Sequence, residues 1–235
     1  MTYDTNTYEE WKNLLEPCDW HYHIGVNGPR DNMFENAVEK FIYPHIPDGS
    51  SVLDCGCGYG GPAKMLTYEK NCTVTCITNS KNQAKHILYD DMPVLLQDLN
   101  ETLDYRMGAD AAIFYESFGH ITDQVSVLQR CPDKIVMVAY FSKVERFYLP
   151  EWKSLFRPLD ELTAIMECCG YTIDHIQDCE YEKYLIPNAA YWYSRLKDKE
   201  YDGALGVLKK WCEDIQYDSH SILDTTGLIN ICATR

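Results

Sequence analysis

Two stretches of this chain carry residue types at spacings that suit chemistry. The denser is Asp54-Cys55-Gly56-Cys57-Gly58-Tyr59-Gly60-Gly61, an acid leading into a run of glycines directly after the apolar Ser51-Val52-Leu53. Glycines accept positive φ in a tight strand-to-helix turn and let a ligand approach backbone that a Cβ would cover. A carboxylate ahead of such a turn fits a ligand with an ammonium group, such as the amino-acid moiety of S-adenosylmethionine. Gly56, Gly58 and Gly61 also satisfy the spacing of a dinucleotide fingerprint. That reading wants an acid about 20 residues on to hold a ribose, and the segment there ends Ile77-Thr78-Asn79-Ser80, without one. The second stretch is Glu116 with His120, after the apolar Ala111–Tyr115. A carboxylate at the end of a buried strand needs a compensating reason, and a histidine titrates near neutral pH and accepts a proton. A strand-end cap and a hydrogen-bonded loop histidine are the alternative, purely structural explanation of the pair.

A parallel sheet would position these groups. Ser51–Leu53 reads as a strand, and Pro62 suits the first turn of the next helix, where its missing N–H has no partner to lose. The pattern continues with strands at Thr73–Thr78, Pro93–Gln97, Asp110–Tyr115, Lys134–Phe141 and Tyr171–Gln177. Helices are expected at Asn82–Leu88, Asp123–Gln129 and Leu159–Cys168. This alternation predicts an α/β fold with a doubly wound, mostly parallel sheet. Ligands in such sheets bind beyond the carboxyl ends of the strands, where Asp54, Thr78, Asp98 and Glu116 all fall. Ahead of the sheet, Thr7–Leu15 reads as a short helix with Trp11, Leu14 and Leu15 on one side, ended by Pro17. Asn32–Ile46 reads as a longer helix with Phe34, Val38, Phe41 and Ile42 on one face. Ile186–Asp214 is a long helical stretch with a break near Tyr201–Gly203, and Gly227–Thr234 reads as a last strand. The expected organisation is one domain over residues 1–235: an N-terminal helical cover at 1–46 and a core at 51–235 with a helical insertion at about 181–216.

Asp54 to Gly60 resembles the first motif of class I S-adenosylmethionine-dependent methyltransferases. Val74-Thr75-Cys76-Ile77-Thr78-Asn79-Ser80-Lys81-Asn82-Gln83 and Tyr115-Glu116-Ser117-Phe118-Gly119-His120 are similar to one branch of that family. The branch holds cyclopropane-fatty-acid synthases, sterol and tocopherol C-methyltransferases, and alkaloid N-methyltransferases. The resemblance runs clearly from Ser51 to His120 and more weakly to Tyr191-Trp192-Tyr193. It implies a Rossmann-like seven-stranded sheet whose last strand is antiparallel, and S-adenosyl-L-methionine as cofactor, with S-adenosyl-L-homocysteine as its product. By the same resemblance Asp54, Gly56, Cys57, Gly58 and Gly60 would hold the methionine part. Thr78 and Asn79, supported by Gln83, would meet the ribose. Asp98 and the backbone of Leu99 would meet the adenine, and Glu116 would border both cofactor and acceptor. Glu116 and His120 would orient and deprotonate a small-molecule acceptor, an amine or a hydroxyl. Tyr22 and His23 in the cover, with Tyr140, Tyr191 and Trp192, are the candidate acceptor contacts; Phe141, Tyr148, Trp152 and Arg195 are further aromatic or cationic candidates. Many members of the branch carry a second glutamate where this chain has Gly119. Carbon methylation of an alkene-bearing lipid or isoprenoid is the alternative chemistry. A prenyl diphosphate would then need Arg30, Arg146, Arg157 and Arg195 to converge. A non-catalytic or NAD-binding Rossmann-type protein is the third possibility.

The 235 residues carry a formal net charge of −15. That charge opposes nucleic acid and anionic lipid surfaces, so the expected partner is a small molecule rather than nucleic acid or membrane, and a homodimer is allowed. The acidic, polar start lacks the basic residues and apolar stretch of a secretory signal, so a cytoplasmic location is expected. The cysteine count of 11 is odd, which fits reduced thiols, and no paired C-x-x-C motifs point to a metal site.

Overall fold

The computed structural model describes residues 3–18, 20–21, 33–101 and 108–235. The chain begins with a 3-10 turn at Tyr3–Thr5 and helix α1, Tyr8–Leu15. Thr7 starts α1 with a reciprocal capping box: its hydroxyl accepts from the Glu10 N–H, and the Glu10 carboxylate accepts from the Thr7 N–H at 2.7 Å. Trp11, Leu14 and Leu15 are buried, and their burial contributes on the order of 2 kcal/mol apiece. The α-helix ends at Leu15 as the sequence suggests, and a 3-10 turn at Glu16–Cys18 carries the chain through Pro17. Helix α2 covers Met33–Phe41 and is shorter than the periodicity suggests; Tyr43–His45 is a separate 3-10 turn. Pro44 contributes, because it has no N–H to donate to the Lys40 carbonyl and so cannot continue the α-helical ladder.

The core follows in order: β1 (Ser51–Cys55), α3 (Gly61–Lys70), β2 (Thr73–Thr78), α4 (Lys81–Tyr89), β3 (Val94–Leu96), β4 (Ala111–Tyr115), α5 (Gln124–Arg130) and β5 (Lys134–Ser142). A hairpin of β6 (Phe147–Leu149) and β7 (Ser154–Phe156) comes next, then α6 (Leu159–Cys168) and β8 (Thr172–Asp178). The helical insertion is α7 (Tyr181–Leu196) and α8 (Gly203–Tyr217), followed by α9 (Ser219–Thr225), before β9 (Thr226–Thr234) closes the sheet. The break near Tyr201–Gly203 lies where the sequence places it, while α7 starts earlier than Ile186 and carries Pro187 inside it.

The seven strands lie in the order β3-β2-β1-β4-β5-β9-β8. β3 to β5 are parallel, and β9 runs antiparallel to both β5 and β8. The sheet has a core on each face, because alternate strand residues point opposite ways. Val136 and Val138 of β5 join α1, α2, α3, α7 and α8 on one side. Ile135 and Met137 join α5 and α6 on the other. Asn230 of β9 is fully buried, and its amide donates to the Phe41 carbonyl at 3.1 Å and the Met137 carbonyl at 3.2 Å. It thereby fastens the end of α2 to the sheet. No helix among the described residues is long and apolar enough to cross a membrane.

The chain reverses direction across the sheet between β1 and β4: it runs outward through β2 and β3, then returns to β4. In such sheets this switch point opens the ligand crevice at the carboxyl ends of the strands. Asp54 of β1 and Glu116, just past β4, stand on its two sides.

Candidate functional site

A cavity of about 1100 Å³ opens at the switch point. Its floor is the glycine turn. The Gly56 and Cys57 N–H groups both donate to the Ile77 carbonyl, at 2.9 and 3.1 Å, which folds the turn over the end of β2. Gly56 has φ +83°, and a Cβ there would lie 2.5 Å from the Ser117 Cβ, so only glycine fits. Ser117 in turn donates to the Cys55 carbonyl at 2.5 Å, which joins the ends of β1 and β4. At Gly58, φ is +56° and a Cβ would meet nothing within 4 Å; its backbone faces the open cavity. Gly60 does not line the cavity. It sits in the left-handed conformation as the N-cap of α3.

Asp54 lines this floor and is 1% exposed. Its Oδ2 has no hydrogen-bond partner among the described residues. Burial without compensation pushes its carboxyl pKa up to about 7. Among the described residues no cationic group pairs with this buried acid.

The second edge is built at the ends of β2 and β3. Thr78 donates to Gln83 Oε1 at 2.5 Å and accepts from the Ser80 N–H at 3.1 Å; Thr78 and Gln83 are both buried. Asp98 accepts from the Asn100 N–H at 2.9 Å and from its side-chain amide at 2.8 Å. Partial burial works to raise the Asp98 pKa, but these bonds and one from the Asn79 side chain hold it below the usual carboxylate range. Thr78, Asn79, Gln83, Asp98 and Leu99 line one wall. The N-terminal turn braces that wall. Asp4 accepts from Ser80 Oγ at 2.6 Å, the Asn82 N–H at 3.0 Å and the Lys81 N–H at 3.1 Å, at the start of α4.

The other half of the cavity surrounds Glu116, which sits at φ +54°, a conformation that costs a non-glycine residue energy. Its N–H donates to the Val138 carbonyl at 2.7 Å, and Tyr140 donates to its carboxylate at 2.8 Å. Tyr3, Tyr115 and Tyr181 also line this half. Burial, and then the Glu116 charge, push up the Tyr3 hydroxyl pKa to about 12 and also raise that of Tyr115 well above the ordinary phenol value. His120 stands on the 3-10 turn Phe118–His120 and opens to the cavity mouth. Its Nδ1 lies 2.8 Å from Ser154 Oγ and 3.0 Å from the Trp152 carbonyl oxygen. The protein packed around the ring lowers its pKa, so it is neutral near pH 7.

The structure therefore brings together Asp54, Gly56, Cys57, Gly58, Thr78, Asn79, Gln83, Asp98, Leu99, Glu116, His120 and Tyr140 around one cavity. Tyr191 and Trp192 are not part of its lining. Tyr191 hydrogen-bonds with Cys18 at 3.2 Å, and Trp192 is completely buried in the core. Phe141 packs against Gly227, whereas Tyr148 and Trp152 do line the cavity. Tyr22, His23 and Arg30 lie outside the described residues. Arg146 and Arg157 both pair with Glu161, and Arg195 donates to the Asn13 carbonyl, so these arginines do not converge on the cavity. Its described charged lining is Asp54, Asp98, Glu116, Glu151, Asp214 and Asp218 against Lys153 and Lys210. Sequence reasoning missed Tyr3, Ser154, Phe156 and Trp211, which come from the N-terminal turn, the hairpin and α8. The signal available was Pro150 in Phe147–Phe156, which marks a turn between two short apolar runs.

A family profile described as "Methionine biosynthesis protein MetW" matches residues 37–136. A probable (S)-tetrahydroprotoberberine N-methyltransferase 2 of Papaver bracteatum is 30% identical over 149 residues, 60% of this chain and 37% of that protein. An (S)-tetrahydroprotoberberine N-methyltransferase of Eschscholzia californica is 54% identical over 78 residues, 32% of this chain and 22% of that protein. The chain thus spans about a third or less of the length of these curated relatives. Among solved structures, a mycolic acid cyclopropane synthase complexed with SAH and CTAB superposes with a TM-score of 0.76. It has 13% identity, with 100% of this chain and 96% of that one covered.

Proposed function

We propose that this chain, whose fold is that of the class I S-adenosylmethionine-dependent methyltransferases, transfers a methyl group from S-adenosylmethionine to a small-molecule amine or hydroxyl. The observation that carries this reading is Asp54: a buried carboxylate with an oxygen unpartnered among the described residues, beside a glycine turn that is open at Gly58. An amino-acid ammonium is the group that pairs with such an acid. The end of β2, with Thr78 and no acid, fits the same cofactor better than a dinucleotide.

In this reading Asp54 and the backbone of Gly56, Cys57 and Gly58 hold the methionine part, and Gly60 shapes the turn. Thr78 and Asn79, with Gln83 bonded to Thr78, hold the ribose; Asp98 and Leu99 hold the adenine. When bound, S-adenosylmethionine supplies an electrophilic methyl group on a sulfonium. The chain's own contribution is to place the acceptor atom and take its proton. The Trp152 carbonyl can only accept, so the neutral His120 ring donates from Nδ1 and Nε2 is the unprotonated nitrogen of a residue that lines the cavity. Nε2 then accepts the proton that the acceptor loses. Glu116, held by Tyr140, faces the positive charge that develops on the acceptor, and aromatic walls including Phe147, Phe156 and Trp211 exclude water. The excess of carboxylates over lysines in the lining favours a neutral or cationic acceptor over a prenyl diphosphate.

Isothermal titration with S-adenosylhomocysteine, with Asp54→Ala alongside, tests the reading. Micromolar binding that the substitution abolishes is expected, followed by turnover in an acceptor screen that starts from amines. Absence of wild-type binding, with and without candidate acceptors, overturns it.

A further inference from the structure

We propose that Ser154 and the β6–β7 hairpin act as the positioning device for His120: they fix which ring nitrogen carries the proton and leave the other unprotonated on a residue that lines the cavity. The proposal rests on the methyltransfer reading for its catalytic consequence, but the device itself is a matter of geometry.

The hairpin approaches His120 through Gly119. A Cβ at Gly119 would lie 3.5 Å from the Leu155 carbonyl oxygen and 3.7 Å from the Ser154 Cβ. These are ordinary packing distances, so β7 lies directly alongside the turn that carries His120. Ser154 is buried, and its Oγ lies 2.8 Å from His120 Nδ1 while donating to the Trp152 carbonyl at 3.2 Å. That donation occupies the hydroxyl hydrogen, so Ser154 presents a lone pair to His120. The Trp152 carbonyl, 3.0 Å from the same nitrogen, is an acceptor by nature. Two acceptors at Nδ1 specify the Nδ1–H tautomer, and Nε2 is left as the base.

The hairpin is itself held in place. Phe147 and Phe156 stack at 4.9 Å, Trp152 meets Trp211 of α8 edge-to-face at 6.1 Å, and the Ser142 N–H donates to the Arg157 carbonyl at 2.8 Å. An acceptor that fills the cavity therefore touches the same residues that orient the base.

The test is nitrogen NMR of the whole protein labelled with ¹⁵N-histidine, with the His120 resonances assigned through His120→Gln. The two neutral tautomers have distinct ring-nitrogen shifts. Wild-type protein is expected to show the Nδ1–H form; Ser154→Ala, which leaves the Trp152 carbonyl as the acceptor, is expected to keep that form with the Nδ1 resonance shifted by loss of the serine contact. If the enzyme methylates, Ser154→Ala also lowers kcat about fivefold, the worth of one neutral hydrogen bond, with unchanged cofactor affinity. A wild-type Nε2–H tautomer, or a Ser154→Ala spectrum identical to wild type, overturns the proposal. The spectrum needs neither cofactor nor turnover, so it tests the positioning device even in a protein that proves inactive, separately from the methyltransfer reading.

Discussion

Asp54 makes cofactor affinity depend on pH in a direction that can be worked out. Burial raises its carboxyl pKa to about 7 in the free protein, so the group is mostly protonated at mildly acidic pH. Pairing with an ammonium requires the anion, and the apparent dissociation constant then scales as one plus the ratio of protonated to ionised acid. Between pH 7.2 and pH 5.5 that factor grows about twentyfold, or about 1.8 kcal/mol of lost affinity. Both values lie below the range in which an α-amino group gives up its proton. Titration calorimetry with S-adenosylhomocysteine in buffers of different ionisation heat reads affinity and proton release together. Release should approach one proton at pH 5.5 and fall to about 0.4 at pH 7.2. Asp54→Asn should bind about 10- to 100-fold more weakly at the upper pH, the worth of a charged hydrogen bond, and lose the pH dependence. That variant separates Asp54 from His120, which lines the same cavity. Affinity that is flat with pH in the wild type, or that keeps its slope in the variant, refutes the argument. The linkage also has a stability side. Between the usual 3.8 and about 7 the folded state holds this proton more tightly than the unfolded state. The free protein therefore loses stability as pH rises through that window, and the stabilising effect of the ligand on Tm should be larger near neutral pH than at pH 5.5.

Two further substitutions probe the frame of the site. Gly56→Ala places a Cβ 2.5 Å from that of Ser117 at a positive φ; it should lower Tm measurably and abolish S-adenosylhomocysteine binding in the same calorimeter. Asp4→Ala removes three hydrogen bonds to the start of α4. It should cost about 1–2 kcal/mol in denaturant unfolding, the size of a lost helix cap, and weaken cofactor binding several-fold while leaving the acceptor KM unchanged.

The glycine turn, the strand ends and the order of elements were legible because each is a local pattern. An apolar run, a glycine cluster and a helix start are written within a dozen residues, and Asp54, Thr78, Asp98 and Glu116 follow from them. The antiparallel final strand came from resemblance rather than periodicity. The acceptor half was harder to read because its walls are distant in sequence. Tyr3, Ser154, Tyr181 and Trp211 converge on one cavity only after folding. The three-residue strands of the hairpin are too short to display alternation. Tyr191-Trp192 shows the opposite limit: an aromatic cluster serves a core as readily as a pocket, and Trp192 is completely buried. For Thr78 and Gln83 the sequence indicated the place but not that the two bond to each other.

The position of β9 also bears on how the chain is made. The last of the sheet's seven strands in chain order, Thr226–Thr234, lies between β5 and β8 rather than at an edge. While a ribosome is still extending the chain, β5 presents nine residues of bare backbone along one side, and β8 has no partner in the sheet. Burial of Val136, Met137 and Val138 beneath a complete sheet has to wait for Leu228 to Ala233. The chain must therefore complete its fold after those residues leave the exit tunnel. Until then its sticky flank is the half of the sheet that will carry Glu116 and Tyr140, the region a chaperone would be expected to shield.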